Sequence, residues 1–218
     1  AFGVALVIRE RDLFLLTDVS GQVPPGNVNG HGLYYADTRY LSGYDFAFAA
    51  AEPVVLLSTA ELGYSSEQVL TNPSMPSLEG RTIPRGPIEV RRLRVVEDAL
   101  EETLRVTNYN VFPVTLDVVL RFEADFVDIF EVRGHERESR GELHQPVWQD
   151  STLSMAYKGR DGHTRQTLIL LTPSPLSMET TAQGARATFR VSLAHRESAA
   201  IRLLVTVDGR LEAAHAVE

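Results

Sequence analysis

The sequence predicts an all-β protein, a large two-sheet antiparallel β-sandwich, carrying one short helical turn near residues 125–132. Three observations support this. Apolar and polar residues alternate with a period of two over many short runs; clusters of Gly, Pro, Asn and Asp separate those runs at short intervals; and one stretch has helical spacing. Alternation puts one face of a strand in the core and the other in water, and frequent turns between short strands indicate a sandwich or barrel.

The elements follow in order. Ala1 to Ile8 lacks a starting Met and a basic region, so it reads as a first strand rather than a signal peptide, and the chain as a fragment of something longer. Pro24-Pro25-Gly26-Asn27 is a turn. Along Gly32 to Phe48 the residues Tyr40, Tyr44, Phe46 and Phe48 keep one phase, predicting a single aromatic strand. Asp37 and Arg39, flanking Thr38, then emerge together on its opposite face. Tyr34 and Tyr35 are adjacent, so on one strand they cannot both be core.

The Pro-rich stretch 72–87 reads as one long loop. In Ile88 to Val95 the apolar phase flips across Arg91-Arg92, the signature of a bulge. Alternation returns in Leu104 to Thr107, in Val114 to Phe122, in Phe189 to Leu193 and in Ile201 to Val207. Turn signals stand at Asn72-Pro73, Pro84 to Pro87, Asn108 to Asn110, Asp161-Gly162 and Asp208-Gly209. The whole implies on the order of 14 to 18 strands, too many for an immunoglobulin-sized sandwich.

The exception is Phe122, Phe126, Ile129 and Phe130, which follow i, i+4, i+7, i+8. This predicts a short helix with Asp125 as N-cap, Asp128 in the acidic first turn, Glu131 one turn on, and Arg133-Gly134 as basic end and stop. A charged, solvated loop follows to Glu142.

Length and composition set bounds. With 218 residues, no repeat and no internal linker, residues 1–210 are expected to form one domain, and 211–218 to begin a linker or helix towards another. A hydrophobic fraction of 44% with 23% charged residues excludes disorder, and no run approaches the roughly 18 apolar residues of a membrane span. A net charge of −8 disfavours nucleic acid and anionic lipid and suits neutral ligands. The absence of cysteine excludes disulfides and thiolate chemistry and favours a reducing, cytoplasmic setting, although a chain without cysteine is also compatible with one outside the cell.

Candidate chemistry is sparse. Glu123 and Asp125 would stand roughly 6.6 Å apart on a strand, the range of an inverting glycosidase pair, but Asp125 has the competing task of capping. The Asp37-Thr38-Arg39 cluster is either an exposed ion pair or a recognition contact, since Arg and Tyr are enriched at interfaces. Tyr34 and Trp148 are candidate stacking platforms for sugar rings, against the bland alternative of core packing. The six histidines show neither metal-ligand nor triad spacing, and Gly26, Gly30 and Gly32 open no helix, so no metal, cofactor or phosphate loop is expected.

Three segments together resemble the N-terminal domain of bacterial glycogen-debranching-type enzymes, the amylo-α-1,6-glucosidase-like family. They are Gly32 to Tyr44 with its Asp37-Thr38-Arg39, the Leu104 to Val114 strand with its Asn-Tyr turn, and Phe122 to Gly134, the most specific. With the opening strand and the Asp18 to Gly21 turn, the resemblance covers about residues 3–134, and it departs at Ala36, where the family usually has a basic residue.

The resemblance implies a β-supersandwich similar to galactose mutarotase, preceding an (α/α)6 catalytic domain that hydrolyses α-1,6 branches of an α-glucan such as glycogen. It also implies that this chain by itself is not the hydrolase. Tyr35, Asp37, Thr38, Arg39, Asp125, Asp128, Glu131 and Arg133 would form the face towards that domain and help to shape its glucan site. The alternatives are a stand-alone carbohydrate-binding module and a purely structural interaction domain.

Overall fold

In the computed structural model, residues 5–26, 30–135 and 140–209 are described. The anticipated linker or helix at 211–218 lies outside them. The described residues contain nineteen strands, slightly more than expected because several are only two or three residues long.

A four-stranded sheet opens the chain: β1 (Leu6–Glu10), β2 (Leu13–Thr17), β3 (Gly32–Tyr35) and β4 (Thr38–Leu41), paired in that order. Next come β5 (Gly43–Phe48), β6 (Val54–Thr59), β7 (Ser65–Thr71), β8 (Met75–Pro76), β9 (Thr82–Ile83), β10 (Ile88–Val96), β11 (Leu100–Asn108) and β12 (Val114–Glu123). The single-turn helix α1 (Ile129–Val132) follows. The remaining strands are β13 (Glu142–Leu143), β14 (Val147–Gln149), β15 (Thr152–Lys158), β16 (Thr164–Thr172), β17 (Ser177–Thr180), β18 (Gly184–Leu193) and β19 (Ser198–Val207).

A nine-stranded antiparallel sheet runs β13-β15-β16-β19-β11-β10-β7-β6, with β14 also paired to β15. A four-stranded sheet, β17-β18-β12-β5, supplies the second layer. Their inward side chains, among them Leu104, Ile169, Leu203 and Val205 from the large sheet and Phe46, Leu120, Phe122 and Phe189 from the small one, merge in one hydrophobic core. The predicted sandwich is therefore present. The β1–β4 sheet is an addition to the two layers; its β1 and β2 pack on β10.

Strand β12 shows why alternation was a reliable guide. Val114, Leu116, Val118, Leu120 and Phe122 are buried while every residue between them is partly exposed, and the strand is paired on both sides. Three other predictions need correction. The aromatic run is two strands: the chain passes at Ser42 from the β1–β4 sheet into the small sheet of the sandwich, and all four rings are buried. The loop at 72–87 contains the β8–β9 hairpin.

The third correction concerns Arg91-Arg92, where there is no bulge. Strand β10 keeps an unbroken register with β11, from Ile88 opposite Asn108 to Val96 opposite Leu100. Alternation continues through the arginines, so Arg92 and Arg94 point into the core and Leu93 points out, 43% exposed.

The buried arginines are accommodated by a polar cluster. Arg94 lies directly across from Glu102 on β11 and donates to it at 3.0 Å, while Arg92 approaches the same Oε1 at 2.6 Å. The Tyr44 ring lies beneath both guanidinium groups, 5.3 Å from each, and its hydroxyl donates to Glu102. Turn residues 18–22 close the cluster: Gln22 Oε1 accepts from Arg92 at 2.8 Å, and the Gly21 carbonyl accepts from Arg94. Burial and the neighbouring Arg92 push the Arg94 pKa down, against the pull of Glu102. Burial and the Glu102 carboxylate push the Tyr44 hydroxyl up, so it remains a donor.

Candidate functional site

The site starts from a tight hairpin. Strands β3 and β4 are joined by Ala36-Asp37, both with positive φ (45° and 65°), as a type I′ connection requires. Asp37 is thus at an exposed turn tip and not, as expected, on the same strand face as Arg39. Thr38 and Arg39 begin β4 and are buried.

Along the free edge of β4 runs the segment that follows β12. Arg39 N donates to the Val127 carbonyl at 2.9 Å, and Ile129 N donates to the Asp37 carbonyl at 2.8 Å. Phe126 has φ of 52°, which turns the chain out of β12 and prevents a helix from starting at Asp125. The helix begins later. Asp128 is the N-cap, its Oδ1 accepting from Phe130 N at 2.7 Å and from Glu131 N at 3.3 Å, and Arg133 is the C-cap before Gly134. Replacing Asp128 with alanine is expected to lower stability by about 1 kcal/mol, the usual worth of an N-cap, measurable by urea denaturation.

Asp125, freed from capping, clasps Arg39. The guanidinium Nε donates to Oδ1 at 3.1 Å and Nη2 to Oδ2 at 2.5 Å, a bidentate pair with the Arg39 side chain 7% exposed. Nη1 reaches the His31 carbonyl at 3.3 Å. Burial works against the charged guanidinium, but the hydrogen bond and charge of Asp125 outweigh it and raise its pKa.

Gly32 makes this geometry possible. A Cβ there would lie 2.4 Å from the Leu41 carbonyl oxygen and 2.7 Å from Arg39 Cδ, and the backbone has φ of 153°. Gly32→Ala is therefore expected to cost about 2 kcal/mol or more and to loosen the Arg39 side chain, seen as a lowered urea midpoint.

Two adjoining clefts open beside this clasp. The first, of about 250 Å³, is lined by Asp37, Thr38, Asp125, Phe126, Asp128 and Glu131, and across from them by Tyr157, Arg160, Asp161 and Arg165. The second, of about 460 Å³, includes Arg39, Ser42, Glu123, Leu143 and Gln183; Asp125, Val127, Glu131 and Arg140 belong to both. Ion pairs fix the walls: Arg165 with Asp161 at 2.8 Å and Arg140 with Glu131 at 3.3 Å. The Tyr157 ring stacks on Phe126 at 5.8 Å. The walls of the first cleft are mainly hydrogen-bonding groups, which suits a polar partner, while Ala124, Val132 and Leu143 give the second a larger apolar share.

Six of the sequence-selected residues thus gather here: Asp37, Thr38, Arg39, Asp125, Asp128 and Glu131. Tyr35 and Arg133 stand outside the lining, Tyr35 half-buried and tilted against Tyr40 at 6.2 Å, Arg133 exposed at the end of α1. Tyr34 is 2% exposed and stacked on Phe14 at 4.9 Å, so it offers no free face to a sugar. Trp148, on β14, is partly buried and donates to the Glu179 carbonyl at 3.1 Å. Glu123 and Asp125 have separate partners, since Glu123 Oε2 accepts from Gly26 N at 2.9 Å. Tyr157, Arg160 and Arg165 were missed, their only signal being the turn at Asp161-Gly162. Among the described residues no three His, Asp or Glu side chains group as metal ligands.

A sequence model of the N-terminal domain of (some) glycogen debranching enzymes matches residues 8–203. The chain belongs to that family. No curated protein sequence matches it. Among solved structures, a putative kojibiose phosphorylase from the human microbiome superposes with a TM-score of 0.57 at 8% identity. That match covers 97% of this debranching-enzyme domain but only 31% of the phosphorylase, so the chain spans about a third of that protein. A galactose mutarotase-like protein from Clostridium acetobutylicum (TM-score 0.54, 8% identity, 94% and 95% covered) is similar as well. So is a putative aldose 1-epimerase from Escherichia coli K12 (0.52, 10%, 94% and 99%). At these identities the likeness establishes the galactose mutarotase-like fold alone. Among the described residues of this family member no helix is long and apolar enough to cross a membrane.

Proposed function

We propose that this chain is the non-catalytic N-terminal domain of a cytoplasmic glycogen-debranching-type hydrolase, packed on an (α/α)6 catalytic domain of the same polypeptide. Its cleft face helps to shape the site for an α-glucan such as glycogen. One observation carries the reading: the two segments that most resemble the family, distant in sequence, meet through the Arg39–Asp125 clasp at the shared wall of both clefts. Asp37, Thr38, Asp128 and Glu131 line the same opening, with Tyr35 at the end of β3 and Arg133 at the end of α1 outside the lining. Their role is to position a neighbouring site, because Glu123 and Asp125 are each committed to a structural partner.

The test is to assay the 218-residue chain and the complete polypeptide on a branched α-glucan. Glucose release by the complete protein and none by the chain alone is the expected result. Appreciable release by the chain alone would overturn the reading.

A further inference from the structure

The strands at the edges of the sheets differ in how they are guarded. The free side of β4 is taken by Val127 and Ile129, the open side of β5 by Val23 and the Gln22 side chain, and Arg9 N on β1 donates to the Gly63 carbonyl at 2.8 Å. Strand β13 is two residues long, and β17 carries Glu179.

Strand β6 has no such guard. It ends the large sheet, paired with β7 on one side, and Val54 to Thr59 contain neither a charge nor a proline. Unpaired N–H and C=O groups on an edge are a template for another strand, which charges and prolines normally block. The register with β7 shifts between Val55 and Leu57, a bulge that inserts Leu56 as an extra residue. Leu56 and Leu57 are 62% and 54% exposed, and Leu62 and Tyr64, on the turn to β7, are exposed as well. This edge is remote from the clefts. It lies five strands from β16, which supplies Arg165 to the first cleft, or about 24 Å at the spacing of paired strands.

Charge selects the occupant. Glu52 stands two residues before β6 and Glu61 two residues after it. A second copy of the chain, paired antiparallel about the middle of β6, would set Glu52 across from Glu61 at both ends, and like charges directly opposite are destabilising. Beside the turn, a cleft of about 350 Å³ carries Glu10, Glu97 and Asp98 against Arg11, with Tyr64 on its wall. A strand with cations at its ends meets attraction where a second copy meets repulsion.

We propose that β6 is a docking edge for a different polypeptide: an extended segment, apolar at alternate positions and basic at both ends, which adds to the large sheet as a further strand. Six residues of strand bury less than the roughly 1,200 Å² of a stable interface, so the contact is transient.

The probe is an eight-residue peptide of alternating valine and threonine with arginine at both ends, acetylated and amidated. It is expected to protect amides of residues 54–59 from hydrogen exchange in the 218-residue chain, half-saturating on the order of 100 μM. Glutamate in place of both arginines is expected to weaken it at least about tenfold at low salt. N-methylation of alternate peptide bonds, which removes the strand hydrogen bonds, is expected to abolish it. Glu52→Lys combined with Glu61→Lys is expected to reverse the preference between the two peptides while moving the melting temperature by less than about 4 °C. No protection by the arginine-ended peptide, equal binding of both peptides, binding that survives N-methylation, or a chain dimer in sedimentation that Leu57→Lys dissociates overturns the proposal. The same protection is expected in the complete polypeptide. Its loss there would mean that β6 is covered within the protein, which overturns the docking role and leaves the reading of the clefts untouched.

Discussion

Replacing Glu102 with alanine is expected to destabilise this domain by about 3–5 kcal/mol, the range for removing one partner of a buried ion pair. The reason is local charge balance. Arg92 and Arg94 are fully buried, both approach Glu102, and Tyr44 donates to it as well. Without the carboxylate two cations face each other in the core with only dipoles for company. At about 2–4 °C per kcal/mol for a domain of this size, the melting temperature should fall by roughly 10 °C. Glu102→Gln keeps the shape and an acceptor for Tyr44, so a loss nearly as large would identify charge, rather than packing, as the cause. A loss below about 1 kcal/mol for both variants would mean that the cluster is not charged as drawn.

Arg39→Ala is expected to have the largest effect on the site. The clasp is intermediate between a buried and an exposed pair, with side chains 7% and 30% exposed, so its loss should cost about 2 kcal/mol in the chain alone. Arg39→Lys should recover only part of this, because an ammonium cannot donate in parallel to both carboxylate oxygens. In the complete polypeptide, the positioning role predicts a rise in KM for short branched glucans, with kcat/KM down about tenfold, equivalent to about 1.4 kcal/mol. If stability falls and KM stays fixed, the face is a packing surface and nothing more.

The sandwich was legible because its strands obey the period of two so closely, as β12 shows. The error at β10 has a definite cause: reading phase from polarity assumes that charge faces water, and Arg92 and Arg94 violate that assumption because Glu102, Tyr44 and the turn at Gly21 and Gln22 receive them. The site was half legible. The two cleft-forming segments are recognisable, but Ala36-Asp37 lacks the Asn-Gly signal of a type I′ turn, so the hairpin tip reads as strand. Asp125 and Asp128 are equally good caps by type; the positive φ of Phe126, which nothing in the local pattern announces, decides between them. The far wall, from Tyr157 to Arg165, comes from β15 and β16 and their turn, and convergence across some 120 residues of chain is a property of topology rather than of motif.

The place of β19 in the large sheet bears on how the domain is made. This strand, the last one described, lies between β16 and β11 near the middle of the sheet. While the polypeptide emerges from the ribosome, β6, β7, β10 and β11 are available to pair early, and β13 to β16 can assemble beside them, yet the two halves share no hydrogen-bonded edge until residues 198–207 arrive. Vectorial synthesis, at about 5–20 residues per second, therefore leaves the edge of β11 open from residue 108 and that of β16 from residue 172 until residue 198 arrives, and closes both with one late insertion.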